Sequence, residues 1–448
     1  MAIGAIKLPK SRIVAVLLGS ALAFTVLAVA SEGGTPAGAA SGGCGPGPLP
    51  TTTTVPSTTT TTTTAPTTTT TTVPVTTTTS TSTTTTSTST TTTEPPTTTT
   101  TEETTTTTLV GLSAQSVEAQ ATRIAAPVTV MGARAGGGPH VKVFDGDSYV
   151  GSFYAYNPAF GGGVAVAAGD VNGDGYDDIV TGAGPGGGPH VKVFDGATVP
   201  NGDPAVLASF YAYNPAFVGG VTVAVGDFNG DTKLDIVTGT GAGGGPHVRI
   251  FDGASVLAGG TGMIGEFYAY AANFAGGVSV AAGDMGGSDA TAEVVTGAGP
   301  GGGPHVKILE ANGTTMSGLA STNGFFAYAP GDTVGINVAA HCDKSGATNI
   351  ARIGVSTEAV EPAFTLFSPN GAVRDSVVDV ADFAGQTGAS IALGTLDSSQ
   401  SPPVQIVVGQ TRLGSQIEQF DITPLETIGV FSPYGGFTGG ANVAIGKL

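Results

Sequence analysis

Two short stretches of the chain concentrate oxygen donors. They read Asp170-Val171-Asn172-Gly173-Asp174-Gly175-Tyr176-Asp177-Asp178 and Asp227-Phe228-Asn229-Gly230-Asp231-Thr232-Lys233-Leu234-Asp235. In each, carboxylate or amide side chains fall at positions 1, 3, 5 and 9, and the first has Gly at position 6. A hard cation such as Ca2+ takes about six to eight oxygen ligands, and a tight loop with alternating inward side chains supplies most of them locally. The expected ligands are Asp170, Asn172, Asp174 and Asp178 by side chain and Tyr176 by its carbonyl, then Asp227, Asn229, Asp231 and Asp235 by side chain and Lys233 by its carbonyl. Calcium is therefore the expected cofactor. Thr232 stands where Gly175 permits a sharp turn, and a β-branched residue at positive φ costs energy, so the second loop should bind more weakly. A third copy keeps Asp284, Asp289 and Glu293 but has an extra residue and no Asn, which leaves its metal binding open. Near Asp343 and Asp382 the pattern is lost. Asx-Gly pairs also make ordinary turns. Against a turn alone stands the crowding of three carboxylates, a repulsion that a cation relieves.

The elements around these loops repeat. The segment Gly186-Gly187-Gly188-Pro189-His190-Val191-Lys192-Val193-Phe194-Asp195-Gly196 recurs from Gly136, Gly243 and Gly301, and its histidines, His140, His190, His247 and His305, stand 50, 57 and 58 residues apart. That spacing fits a unit of four short strands and exceeds helical repeats of about 33–47 residues. For the second unit the strands are expected at 164–169, 178–182, 190–195 and 210–213, each bounded by Gly, Asn, Asp or Pro. No sustained 3.6-residue periodicity occurs, so the fold is all-β. Units of this kind bury their faces only by stacking, and radial stacking into a β-propeller protects their edges.

Inner strands starting near Val164, Val221, Val278, Gly335, Val377 and Ala441 make six. The first unit, 128–156, lacks an inner strand, and the run beginning at Ala441 has nothing after it to pair with. The expectation is a six-bladed propeller closed by the C-terminal strand, with seven blades if 109–126 adds strands. Units five and six are degenerate. Residues 362–367 and 403–407 are placed as third strands, and the outer strand of unit five is expected to be missing.

The loop Asp-x-Asn-Gly-Asp-Gly-x-x-Asp ahead of Ile179-Val180-Thr181-Gly182 resembles the FG-GAP repeat, also called VCBS or integrin α-subunit-like. The resemblance covers about 320 residues and is clearest in units two and three. It implies loops that bind calcium on one propeller face and serve structure, with partners met on other surfaces. Integrin propellers have seven blades, and no integrin leg domains are present here.

The chain of 448 residues carries 15 Lys plus Arg against 33 Asp plus Glu, a net charge of −18, which argues against nucleic acid and anionic lipid as partners. Two cysteines, Cys44 and Cys342, supply neither a disulfide framework nor a four-cysteine zinc site. Residues 1–30 read as an export signal, with Lys7, Lys10 and Arg12 before an uncharged stretch ending in Ala28-Val29-Ala30. Cleavage after Ala30, anchoring in the membrane through 13–30, and acylation at Cys44 are its possible fates. Residues 31–108 are Gly/Pro-rich and then Thr-rich, a composition that forms no core and implies a disordered, extended stalk open to O-glycosylation. Residues 109–448 are the expected propeller.

Gly182-Ala183-Gly184-Pro185-Gly186-Gly187 matches a dinucleotide fingerprint in letters only, because a strand and not a helix follows. The four repeated histidines are expected to hydrogen-bond the Gly-rich loop, and Lys142, Lys192, Arg249 and Lys307 to be solvated. Phe153, Tyr154 and Tyr156, with Phe210, Tyr211, Tyr213, Phe267, Tyr268 and Tyr270, are assigned to blade packing. The absence of Trp weakens a sugar-stacking platform, though Tyr can substitute.

Together these readings describe a secreted or cell-surface, calcium-binding β-propeller, expected to be a monomer, that acts as an adhesion or ligand-binding module for an extracellular protein or polysaccharide. The alternatives are a polysaccharide lyase or hydrolase, for which no Gly-x-Ser-x-Gly or His-Glu-x-x-His motif is present, and a purely structural surface coat.

Overall fold

The computed structural model describes residues 126–286, 291–316, 323–343, 350–358, 363–379, 388–396, 404–422 and 425–448. The export signal, the Thr-rich stalk, Cys44 and 109–125 lie outside the described residues. Among those described, no helix is long and apolar enough to cross a membrane.

Six four-stranded antiparallel sheets form the blades of a β-propeller. Blade 1 contains β1 (Pro127–Ala133), β2 (His140–Asp145) and β3 (Ser148–Tyr154). Blade 2 is β4 (Val164–Gly169), β5 (Asp178–Ala183), β6 (His190–Phe194) and β7 (Val206–Tyr211). Blade 3 is β8 (Val221–Gly226), β9 (Asp235–Thr240), β10 (His247–Phe251) and β11 (Met263–Tyr268). Blade 4 is β12 (Val278–Gly283), β13 (Glu293–Ala298), β14 (His305–Leu309) and β15 (Phe325–Phe326). Blade 5 is β16 (Ile336–Asp343), β17 (Ile350–Thr357), β18 (Ala363–Phe367) and β19 (Val373–Asp379). Blade 6 is β20 (Ala389–Gly394), β21 (Gln405–Gln410), β22 (Ile417–Ile422) and β23 (Leu425–Phe431). The last strand, β24 (Ala441–Lys447), is the innermost strand of blade 1, ordered β24-β1-β2-β3. Six blades and closure by the C-terminal strand are therefore as the repeat pattern implies.

Three assignments in the degenerate half are corrected. Val377 belongs to β19, the outer strand of blade 5, so that strand is present, and the inner strand of blade 6 is β20. Of the 403–407 run, 405–407 open β21, a second strand, while the third strand is β22 and residue 403 lies outside the described residues. Without the Gly-Gly-Gly-Pro-His marker, short apolar runs in successive antiparallel strands look alike. The outer strands of blades 2 and 3 also end at Tyr211 and Tyr268, two residues earlier than the expected register.

In blades 2 and 3 the second strands are buried along their length and the inner strands at every residue but the second, and apolar clusters fill the wedges between blades. Close approach of the blades explains a glycine in each second strand. A Cβ on Gly182 would lie 2.5 Å from the Val221 carbonyl oxygen of the next blade. The second residues of the inner strands form a polar belt around the axis. Thr222 Oγ1 donates to the Val278 carbonyl (2.9 Å), Asn337 Nδ2 to that of Ala389 (2.8 Å), Ser390 Oγ to that of Ala441 (2.7 Å) and Asn442 Nδ2 to that of Val164 (2.8 Å). Ser279 Oγ accepts from the Val338 N–H at 3.3 Å. Ala165 is the one member of this ring without a polar side chain.

Candidate functional site

Antiparallel strands place the acidic loops, which join first to second strands, on one face of the ring. The Gly-rich loops between second and third strands lie on the other. In the first acidic loop Asp170 Oδ1 accepts from the N–H groups of Gly173 (2.6 Å) and Asp174 (3.1 Å), and Oδ2 from Gly175 (2.9 Å). Asn172 Oδ1 accepts from Asp174 N–H (2.8 Å) and Asp174 Oδ1 from Tyr176 N–H (2.8 Å). The second loop repeats this, with Asp227 accepting from Gly230 and Thr232, Asn229 from Asp231 and Asp231 from Lys233. Thr232 takes φ 70°, beside φ 89° at Gly175, so the strain expected there is present.

Position 9 ties each loop into its blade. Asp178 Oδ2 accepts from Val171 and Asn172 N–H (both 3.0 Å), and its Oδ1 from Gly196 N–H (3.3 Å) on the connection between third and fourth strands. Asp235 does the same with Phe228 (2.9 Å) and Gly253 (3.0 Å). Both residues are fully buried. Burial pushes their carboxyl pKa values up to about 7; the amide hydrogen bonds oppose the rise, while Asp174 beside Asp178 and Asp231 and Asp227 beside Asp235 add repulsion.

The donor chemistry of both loops suits a hard cation. The side chains, however, are turned onto their own backbone, and Asn172 Nδ2 bridges Asp174 Oδ2 (3.1 Å) and Asp178 Oδ1 (3.4 Å). Among the described residues no group of three or more His, Cys, Asp or Glu is arranged to hold a metal. In blade 4, Asp284 and Glu293 cap Gly286 and Met285 N–H, while Asp289 lies outside the described residues. The Asp343 side chain and Asp382 also lie outside them.

One residue of the first loop escaped the sequence reading. Asp177 occupies the position of Leu234 and Ala292, buried apolar residues in the neighbouring blades. Its N–H donates to the Lys447 carbonyl (2.7 Å) and its Oδ2 accepts from Lys447 N–H (2.9 Å), which seats β24 against blade 2. Burial holds its carboxyl well above the usual range. The signal was a charged residue where its repeats are apolar.

On the opposite face a second repeated constellation appears. Tyr156, Tyr213, Tyr270 and Tyr434 sit between blades and donate to carbonyls of the next blade's third strand, those of His190 (2.7 Å), His247 (2.9 Å), His305 (2.7 Å) and His140 (2.8 Å). A second acceptor on the second strand completes each clamp, at Thr181, Thr238, Thr296 and Met131. Burial raises these phenols far above their ordinary pKa, so they remain donors. Lys142, Lys192, Arg249 and Lys307, expected in solvent, lie over these rings at 5.2 or 5.3 Å.

The histidine rings stack on outer-strand aromatics, and their ring nitrogens do not bond the Gly-rich loop. His140 lies on Tyr154, His190 on Tyr211, His247 on Tyr268 and His305 on Phe326, at centroid distances of 4.5, 4.7, 4.7 and 4.6 Å. The ring nitrogen Nε2 pairs with Ser209 in blade 2, Glu266 in blade 3 and the Asn323 carbonyl in blade 4. Burial lowers all four imidazole pKa values, and the neighbouring cation lowers them further. Tyr154, Tyr211, Tyr268 and Phe326 are 50, 50, 55 and 49% exposed, so blade packing does not account for them. It does account for Phe153 and Phe210, which are buried.

One cavity opens on this face at the axis, and a cleft lies on the outer rim between blades. At the axis, a cavity of about 290 Å3 is spanned by the Arg134–Glu358 ion pair (2.8 Å), with Asn442 accepting from Arg134 at 3.2 Å. At the rim, a cleft of about 480 Å3 separates Tyr154 and His140 of blade 1 from Lys192 and Asp203 of blade 2.

A family model for the FG-GAP repeat matches residues 162–198 and 219–256. These segments contain the two acidic loops with the first three strands of blades 2 and 3. Two of the blades are FG-GAP repeats. The FG-GAP match covers two of the six blades, those whose acidic loops keep oxygen-bearing side chains at positions 1, 3, 5 and 9, and the fold around them is a six-bladed β-propeller. No curated protein matches it in sequence. Among solved structures it is similar to Chaetomium thermophilum Sqt1, at 14% identity over 68% of this chain and 70% of that one, with TM-score 0.35. It is also similar to the exotype rhamnogalacturonan lyase YesX, at 12% identity over 66% of this chain and 63% of that one, TM-score 0.32. A third is Citrobacter koseri AztD, at 12% identity over 69% and 82%, TM-score 0.28. Likeness at this level carries no functional argument for the FG-GAP propeller.

Proposed function

We propose that this FG-GAP propeller is an adhesion or ligand-binding module, exported and displayed at or beyond the cell surface, whose partner is an extracellular protein or polysaccharide. The observation that carries this reading is the row of half-exposed aromatic rings on four successive blades, on the face away from the acidic loops. Exposed aromatic surface held in a fixed orientation is suited to contact with a partner. The leader and the Thr-rich tract in the sequence support display away from an envelope. Immobilised full-length protein, probed with a glycan array and with matrix and envelope protein preparations in calcium and in chelator, tests it. Saturable binding is expected, and a uniformly negative panel refutes it.

Calcium belongs to this proposal. Asp170, Asn172, Asp174, Asp178 and the Tyr176 carbonyl would hold one ion, and Asp227, Asn229, Asp231, Asp235 and the Lys233 carbonyl a second. A bound ion would supply charge neutralisation to Asp178 and Asp235, which burial otherwise drives toward protonation. By linkage, calcium at one hundred times its Kd should stabilise the fold by about 2.7 kcal/mol per site. An unchanged melting temperature between chelator and millimolar calcium refutes the metal role.

A further inference from the structure

The rim cleft between blades 1 and 2 combines features that a folded scaffold alone does not require. One wall presents the Tyr154 ring, half exposed and stacked on His140 at 17°, with Ser152 beside it. Lys192, Phe194 and Asp203 of blade 2 line the cleft as well, with the Lys192 amine 5.3 Å from the Tyr156 ring centroid and 5.9 Å from that of Phe194. We infer that this cleft is a saccharide-binding site for a neutral polysaccharide, whose pyranose ring stacks on Tyr154 while His140, Ser152, Lys192 and Asp203 meet its hydroxyls. The inference rests on the binding-module reading and names the ligand class and the site.

Three observations carry it. A pyranose has an apolar C–H face and a rim of hydroxyls, so it needs a flat exposed ring flanked by both donors and acceptors. The cleft supplies both. His140, kept neutral by burial beside Lys142, offers one ring nitrogen as donor and one as acceptor. Second, Lys192 and Asp203 cancel in charge, and a protein of net charge −18 repels polyanions, which selects a neutral chain. Third, the ring-on-imidazole platform recurs at Tyr211, Tyr268 and Phe326. Phe326 has no hydroxyl, so what the four positions share is the stacking face. In blades 3 and 4 a glycine makes room for the ring, since a Cβ on Gly245 or Gly303 would lie 3.0 Å from Tyr268 or Phe326. Repetition along the rim lets one polymer touch several platforms, and linked weak contacts multiply in avidity.

The net charge makes native affinity electrophoresis a direct test. The full chain is run through gels cast with hydroxyethylcellulose, galactomannan or laminarin, and with polygalacturonate as the acidic comparison. Retardation by at least one neutral polymer is expected. Tyr154→Ala should weaken it by roughly tenfold, Tyr154→Phe should retain it, and Asp203→Ala should weaken it with an unchanged melting curve. The variant Tyr154→Ala/Tyr211→Ala/Tyr268→Ala/Phe326→Ala should abolish it. The inference is overturned if none of the three neutral polymers retards the protein, if only polygalacturonate does, or if Tyr154→Ala and Asp203→Ala both migrate as wild type. Protein or matrix binding that survives in the Tyr154→Ala and Asp203→Ala variants would overturn the cleft while leaving the binding-module reading standing.

Discussion

Removing the C-terminal strand should unfold the ring and not merely fray its end. Deleting 441–448 takes away β24, which pairs with β1 at seven register positions from Pro127↔Lys447 to Ala133↔Ala441. It also removes both Lys447 bonds to Asp177, the Asn442 bond to Val164 and the Ser390 bond to Ala441. Val443 and Ile445 are each under a tenth exposed, and Ala441 and Ala444 are buried. Burial contributes about 1.5–3 kcal/mol for each of the two larger side chains. The hydrogen bonds add about 0.5–1.5 kcal/mol apiece, and the deletion leaves the Asp177 carboxyl and a new edge on β1 without partners. The loss is on the order of 10 kcal/mol, comparable with the roughly 5–15 kcal/mol that holds an entire domain folded. Calorimetry and near-UV circular dichroism of the truncated chain should therefore show no cooperative transition. Adding the peptide Ala-Asn-Val-Ala-Ile-Gly-Lys-Leu should restore one, because the vacant position is a strand edge awaiting a partner. A truncated chain that melts at the wild-type temperature would refute the closure argument.

Other outcomes follow from single residues. Ala165→Ser should place a hydroxyl opposite the Val221 carbonyl, complete the axial belt and stabilise the fold by about 0.5–1 kcal/mol, read from denaturant unfolding; no gain would show that the belt is incidental. Thr232→Gly relieves a non-glycine φ of 70° and should add about 1 kcal/mol of stability and tighten any calcium affinity of the second loop, measured by calorimetric titration. The four histidines weaken the fold on acidification, against the opposite effect of the raised Asp178 and Asp235 carboxyls. The folded pKa values of the imidazoles lie below the unfolded value of about 6.5, so the unfolded chain takes up more protons, and their contribution to stability is full above that pH and lost as pH falls through and below it. His190→Gln should raise the melting temperature at pH 5.5, relative to pH 7, above the wild-type difference, and an unchanged difference would exclude this cause.

The loops and the count of blades were legible because they are local and repeated. Asp170 to Asp178 and Gly186 to Gly196 encode a turn and a strand each time they occur, and repetition of a unit that cannot bury its own faces leaves radial stacking as the solution. Thr232 at positive φ could be read from its alignment with Gly175. Where repetition decayed, the reading failed. β19 and β21 carry no marker residue that sets them apart from other short strands, and only pairing partners decide which place in a blade such a strand takes.

Tertiary structure alone decided which side of each aromatic is wet. Tyr154 and Tyr156 are two residues apart on adjoining positions of the repeat, yet one is half exposed on a histidine and the other is clamped between blades. Alternation would assign both to one face, but β3 ends at Tyr154, and beyond it Tyr156 turns in to blade 2 while Tyr154 stays open on the rim. The same holds for Asp177, whose burial arises only when the distant strand β24 closes over it. Chemical type and local turn geometry are properties of a few consecutive residues, whereas burial and partner choice depend on chain segments hundreds of positions away.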